Sequence, residues 1–104
     1  MEAWTPEILH SKLDNGAKVF LKLWKKGCGS CKLSIPATDR LEKENPHNLE
    51  FAQILVDDHP EMLEVAGTEV LPVFFVFADK KMKGNFIGFK GLAKLQEFVN
   101  DAMK

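Results

Sequence analysis

Only two cysteines occur in the 104 residues, and they stand three apart, as Cys28-Gly29-Ser30-Cys31. Two cysteines placed at random would take that spacing about one time in fifty. A free thiol titrates near ~8.5, and the start of a helix lowers that value by offering unpaired backbone N–H groups to the anion. Three lysines flank the pair, Lys25, Lys26 and Lys32, and each favours thiolate further. A thiolate at Cys28 is the nucleophile that thiol–disulfide exchange requires. Cys31, one helical turn later, lies close enough to attack a mixed disulfide and close a small ring, and Gly29 and Ser30 permit the tight turn. Two other readings fit the same pair. It could be two ordinary buried thiols, or half of a tetrahedral zinc site. His10, His47 and His59 lie singly in three polar segments with no ligand spacing, which argues against zinc within one chain. A metal shared between two chains stays open.

The chemistry needs a strand to deliver the pair and a helix to begin at it. Val19 to Trp24, VFLKLW, is apolar at five of six positions, as expected of a strand covered on both faces. Lys25-Lys26-Gly27 turns the chain, and a helical segment follows the cysteines to about Glu44, with interior Pro36 expected to kink it. Upstream, Thr5-Pro6-Glu7 marks a helix start, Ile8, Leu9 and Leu13 its buried side, and Asn15-Gly16 its end. Downstream, Leu49 to Val56 reads as a second strand, and Asp58 to Gly67 as a short helix with Pro60-Glu61 in its first turn. Val73 to Phe77 reads as a third strand, Asp79 to Gly84 as a polar turn, and Asn85 to Phe89 as a fourth strand closing a hairpin. Leu92, Leu95, Phe98, Val99 and Ala102 share one face of a last helix over Leu92 to Met103. The helical crossover makes the first two strands parallel. The expected fold is α/β, a mixed four- to five-stranded sheet with helices on both faces, in one domain over 1–104.

Composition narrows the function. Fourteen Lys+Arg against 15 Asp+Glu leave a net charge of −1, too even for a basic nucleic-acid binder. Lys80, Lys81 and Lys83 fall in the expected hairpin turn, where lysines keep an edge soluble. No apolar run approaches the roughly 18–20 residues of a membrane span. The start, MEAWTPEILH, shows no basic segment followed by an apolar stretch, so no signal peptide is readable and a reducing, cytoplasmic compartment is expected.

The strand, Cys-x-x-Cys and helix together resemble the active site of the thioredoxin family, whose usual form is Trp-Cys-Gly-Pro-Cys-Lys; here it is Gly27-Cys28-Gly29-Ser30-Cys31-Lys32. Pro36 stands five residues after the second cysteine, like the family's helix-kinking proline. Asp57 matches the aspartate at the end of the next strand, Leu71-Pro72 the cis-proline facing the disulfide, and Gly88 the glycine on the last strand. The likeness runs from about Val19 to Phe98 without a gap. It implies a thioredoxin fold and a thiol–disulfide oxidoreductase with no cofactor beyond a redox-active Cys28–Cys31 disulfide. Cys28 would be the nucleophile and Cys31 the resolving thiol. Gly27, Gly29, Ser30, Val70, Leu71, Pro72 and Gly88 would border the substrate groove, with Val70 and Leu71 offering a strand edge. The implied partners are protein disulfides and a thioredoxin reductase or other dithiol donor, with no nucleic acid or membrane, and the expected state is a monomer. Glutaredoxin fits less well, because the segment after Pro72 is apolar.

Three positions depart from the family. Lys22 stands six residues before Cys28, where the family buries an aspartate that moves a proton to and from the second cysteine. Lys22 either snorkels past the strand end, the commoner fate of a strand lysine, or is desolvated beside Cys31, as base or as counter-charge. In the second case the reduced form gains stability and the disulfide becomes more oxidising. Gly27 replaces the tryptophan of the contact face, although Trp24 keeps the family's other strand-end tryptophan, expected to pack beneath the site. Ser30 replaces proline and frees a backbone N–H. Gly27 and Lys22 also suit a different class, a non-enzymatic binding module or redox sensor with the same fold.

Overall fold

The computed structural model describes residues 1–104. Its elements in chain order are β1 (Glu2–Ala3), α1 (Pro6–Asp14), β2 (Val19–Trp24), α2 (Gly29–Leu33), α3 (Ile35–Glu44), β3 (Glu50–Leu55), α4 (Met62–Ala66), β4 (Val73–Ala78), β5 (Lys81–Ile87) and α5 (Leu92–Ala102). The five strands form one sheet in the order β1-β3-β2-β4-β5. β1, β3 and β2 run parallel, while β4 is antiparallel to both β2 and β5.

β2 and β4 are central and buried on both faces, which is why their sequences read as near-continuous apolar runs. One face packs Leu21, Leu23, Ile54, Val73 and Phe75 against Leu9 of α1 and Met62 and Ala66 of α4. The other packs Phe20, Phe51, Phe74 and Val76 against Ala37 and Leu41 of α3 and Leu95 and Val99 of α5. Phe20 is the aromatic centre of that second face, stacked on Phe51 at 4.7 Å between centroids and tilted on Phe74 at 5.6 Å.

Four sequence expectations are corrected. The helix after the cysteines is two helices: the first ends at Ser34, and Pro36 sits in the first turn of the next, where its missing N–H costs nothing. The hairpin turn is two residues, Asp79 and Lys80, both at positive φ (55° and 63°), the geometry that suits the twist of the flanking strands. The last strand therefore begins at Lys81 and ends at Ile87, and a bulge at Val76/Phe77 absorbs one residue. Gly84 lies where an added Cβ would stand 3.1 Å from the Phe98 ring, so a side chain here would require the ring to shift by a few tenths of an ångström. The short helix starts at Met62 rather than Asp58. Finally, Ile8 is exposed, and buried Trp4 takes the place beside α1, its backbone N–H donating to Gln53.

Candidate active site

β2 carries the chain to the site and Gly27 reverses it. Gly27 has φ +73°, a left-handed conformation that a side chain rarely adopts. The absence of tryptophan at this position is thus a matter of backbone as well as contact surface. Cys28 then caps α2: its Sγ accepts the Cys31 backbone N–H at 3.1 Å. The two cysteines are joined as a disulfide, with Cα atoms 5.3 Å apart. Cys28 is half-buried and Cys31 only 2% exposed, so Cys28 is the more accessible of the two sulfurs.

Two groups of residues border the disulfide. On one side a cleft of about 340 Å³ is lined by Lys22, Trp24, Lys25, Gly27, Cys28, Gly29, Cys31, Lys32, Ile35 and Gln53. Outside that cleft, the Leu71 carbonyl oxygen lies 3.8 Å from Cys28 Sγ, and the Leu71–Pro72 peptide is cis. Val70 is exposed and Leu71 buried; the Val70 N–H already donates to Thr68 Oγ1 at 3.0 Å. Gly88, at φ +83°, falls just past the end of β5, and its N–H donates to the Pro72 carbonyl at 2.7 Å. Ser30 is exposed on α2 and forms no bond to either sulfur, its carbonyl instead accepting the Ser34 N–H. Trp24 is half-buried against the core, Lys32 is exposed, and Asp57 is exposed just beyond β3.

Lys22 does not snorkel. It is 2% exposed, and its Nζ donates to the Cys31 carbonyl at 3.0 Å. That carbonyl also accepts the Ser34 hydroxyl at 2.7 Å. Ser34 and Thr38 are both fully buried, and Thr38 Oγ1 donates in turn to the Ser34 carbonyl. Sequence alone does not reveal this chain of polar contacts. Its one legible trace is the three- and four-residue spacing of Cys31, Ser34 and Thr38, which stacks them on one helical side. Burial holds the Lys22 ammonium below its ordinary 10.5, against the opposing pull of the Asp39 charge.

That burial has a measurable consequence. Between the folded-state pKa of Lys22 and the 10.5 of an unfolded lysine, the unfolded chain binds more protons, so stability rises with pH across that window. Below the window the full cost of the buried charge is present. Lys22→Met keeps the length, removes the charge and leaves the Cys31 carbonyl bonded to Ser34. We expect the variant to be more stable at neutral pH by about 1 kcal/mol. Its advantage over wild type should shrink as pH climbs towards 10.5. Urea titrations at several pH values check this, and a difference that stays flat with pH contradicts it.

No group of three or more His, Cys, Asp and Glu side chains is placed to hold a metal. The histidines stand apart: His10 faces Asp14, His47 faces Asn100 and His59 faces Glu61. No helix is long and apolar enough to cross a membrane.

A strand-delivered disulfide capping a helix beside a cis-proline defines a class, and comparison with known proteins assigns it. The thioredoxin family model matches residues 2–101. Thioredoxin from Bacillus subtilis (strain 168) is 32% identical over 82 residues, covering 79% of each chain. The X-ray structure of Fasciola hepatica thioredoxin superposes with a TM-score of 0.83 at 26% identity, over 96% of this chain and 97% of that one. The bifunctional thioredoxin reductase/thioredoxin of Mycobacterium leprae is 26% identical over 91 residues, 88% of this chain and 20% of that protein. The chain belongs to the thioredoxin family, and with its Cys28–Cys31 pair it is an oxidoreductase acting on protein disulfides.

Proposed function

We propose that this chain exchanges disulfides with protein substrates through Cys28 and Cys31, Cys28 acting first. In the reduced protein the Cys28 thiolate attacks one sulfur of a substrate disulfide, forming a mixed disulfide and releasing the other substrate sulfur as a thiolate. Cys31, deprotonated, then attacks the Cys28 sulfur, releasing the second substrate thiolate and leaving the protein disulfide. Two electrons pass to the substrate. They return from a thioredoxin reductase or another dithiol, a reading supported by the relative in which reductase and thioredoxin share one chain. A cytoplasmic setting belongs to the same reading, since thiols are kept reduced there.

The asymmetry of the two sulfurs carries this assignment. Cys28 is half-buried and accepts a backbone N–H, a donor that favours thiolate over thiol once the bond is reduced. Cys31 is enclosed, with Lys22 on its carbonyl. The exposed Val70 and the turn into Pro72 suit a substrate segment lying beside Cys28, and Gly27, Gly29 and Ser30 leave the opposite rim low. Lys22 in this reading modulates the pair: a cation near Cys31 stabilises its thiolate, favours the reduced form and makes the disulfide more oxidising.

Alkylation tests the order. Reduced protein treated with iodoacetamide near neutral pH should be modified at Cys28 first, as read by peptide mass spectrometry. Equal rates, or faster labelling of Cys31, would overturn the assignment of roles.

A further inference from the structure

The cleft beside the disulfide carries a charge pattern that can act on a ligand as well as on the two sulfurs. Among its lining residues are three lysines, Lys22, Lys25 and Lys32, and no carboxylate. The chain as a whole carries a net charge of −1, so this concentration of cations is local. Lys22 is the unusual member. It is 2% exposed, yet none of the seven ion pairs in the structure includes it. Its ammonium has three donors, and the protein gives it one acceptor, the Cys31 carbonyl. A buried cation is ordinarily paired. Gln53, the cross-strand partner of Lys22, lines the same cleft and adds an amide. The volume, about 340 Å³, is at the lower end of small-molecule sites. Cys28 and Cys31 form part of its wall.

We propose that this cleft seats the carboxylate of a small anionic disulfide, so that the chain reduces low-molecular-weight disulfides bearing carboxylates in preference to neutral ones. Asp39 acts on Lys22 only from beyond ion-pair distance, so the carboxylate supplies a counter-charge in direct contact, with Lys25 and Lys32 at the rim, and the attached disulfide is held next to Cys28. The chemistry is the exchange described above, on which this proposal rests. The Cys28 thiolate displaces one half of the small disulfide as a thiolate, Cys31 displaces the other half, and the protein dithiol is oxidised. Dithiothreitol restores it.

The test compares two aromatic disulfides, dithiobis(nitrobenzoate), which carries a carboxylate on each half, and dithiodipyridine, neutral near pH 7. Stopped-flow absorbance follows oxidation of the reduced protein by each, and the quantity read is the ratio of the two rate constants. A change in thiol reactivity moves both rates and largely cancels in the ratio. Lys22→Met should lower the ratio about tenfold, the size of one charge-assisted hydrogen bond. The double variant Lys25→Gln/Lys32→Gln, exposed and safe for folding, should lower it roughly two- to threefold. Lys80→Gln/Lys81→Gln, the same loss of charge on the β4–β5 hairpin, should leave it unchanged. A ratio insensitive to both cleft variants, or one that falls equally in the hairpin control, overturns the proposal. Should Lys22→Met fail to fold, the two double variants decide alone. If wild type oxidises with both probes but the ratio does not respond, the cleft assignment fails and disulfide exchange stands. If wild type releases two thiolates per molecule from neither probe, the exchange reading itself fails.

Discussion

Reduced Cys31→Ser protein mixed with a protein disulfide is expected to stop halfway, holding the substrate on Cys28 as a mixed disulfide. In the proposed exchange, release depends on the Cys31 thiolate one helical turn away, with Cα atoms 5.3 Å apart. A hydroxyl does not displace sulfur from a disulfide, and the chain has no third cysteine to do it. An external thiol must then replace a tethered one, and turnover should fall roughly a hundredfold or more, because tethering is worth a very high effective concentration. A non-reducing gel and intact mass should show the adduct, dissolved by dithiothreitol. Cys28→Ser should give none. Full turnover by Cys31→Ser would mean that the second cysteine takes no part.

Phe20→Ala is expected to bring the protein close to unfolding. The ring is fully buried between Phe51 and Phe74, on the strand that leads directly to Lys22, Trp24 and the disulfide. Truncation of a buried phenylalanine costs about 3–5 kcal/mol, against a total stability of roughly 5–15 kcal/mol for a domain. The urea midpoint should fall sharply. Leu33→Ala, at a side chain 71% exposed beside the same site, should stay within about 0.5 kcal/mol of wild type. Similar losses at both positions would contradict the packing described for the second face of the sheet.

The sequence makes β2, β4 and α5 readable for one reason: their burial is one-dimensional. Strands covered on both faces are apolar throughout, and α5 puts its apolar residues on one side. The cysteine pair and its helix start are legible because local spacing sets them. Where pairing rather than pattern decides, the sequence is mute. β1 is two residues long, both exposed, and exists because Glu2 and Ala3 pair with Ala52 and Gln53. The hairpin turn uses Asp79 and Lys80 in a conformation usually marked by Asn-Gly, so nothing in the sequence separates Lys81 and Lys83 of β5 from the turn. Ser34 closes α2 with its backbone N–H on the Lys32 and Ser30 carbonyls, and its hydroxyl donates to the Cys31 carbonyl, contacts that spacing around Pro36 does not reveal.

The active site divides in the same way. Cys28, Cys31, Pro72 and Gly88 are placed by motif and register, and the structure brings the Leu71 carbonyl to Cys28 and ties Gly88 to Pro72. The fate of Lys22 depends on what covers β2, and that is decided by how α2 folds back over it after the Lys25–Gly27 turn. Alternation puts Lys22 on the same face as Phe20, but only the packed structure shows the ammonium enclosed rather than led out to water.

Insulin-disulfide reduction with dithiothreitol as electron donor tests the central claim most directly, because insulin chains precipitate as their disulfides are broken and turbidity reports the rate. Wild-type protein should accelerate precipitation well above dithiothreitol alone, and Cys28→Ser should return the rate to that background. A wild-type rate no faster than that of Cys28→Ser would contradict the account.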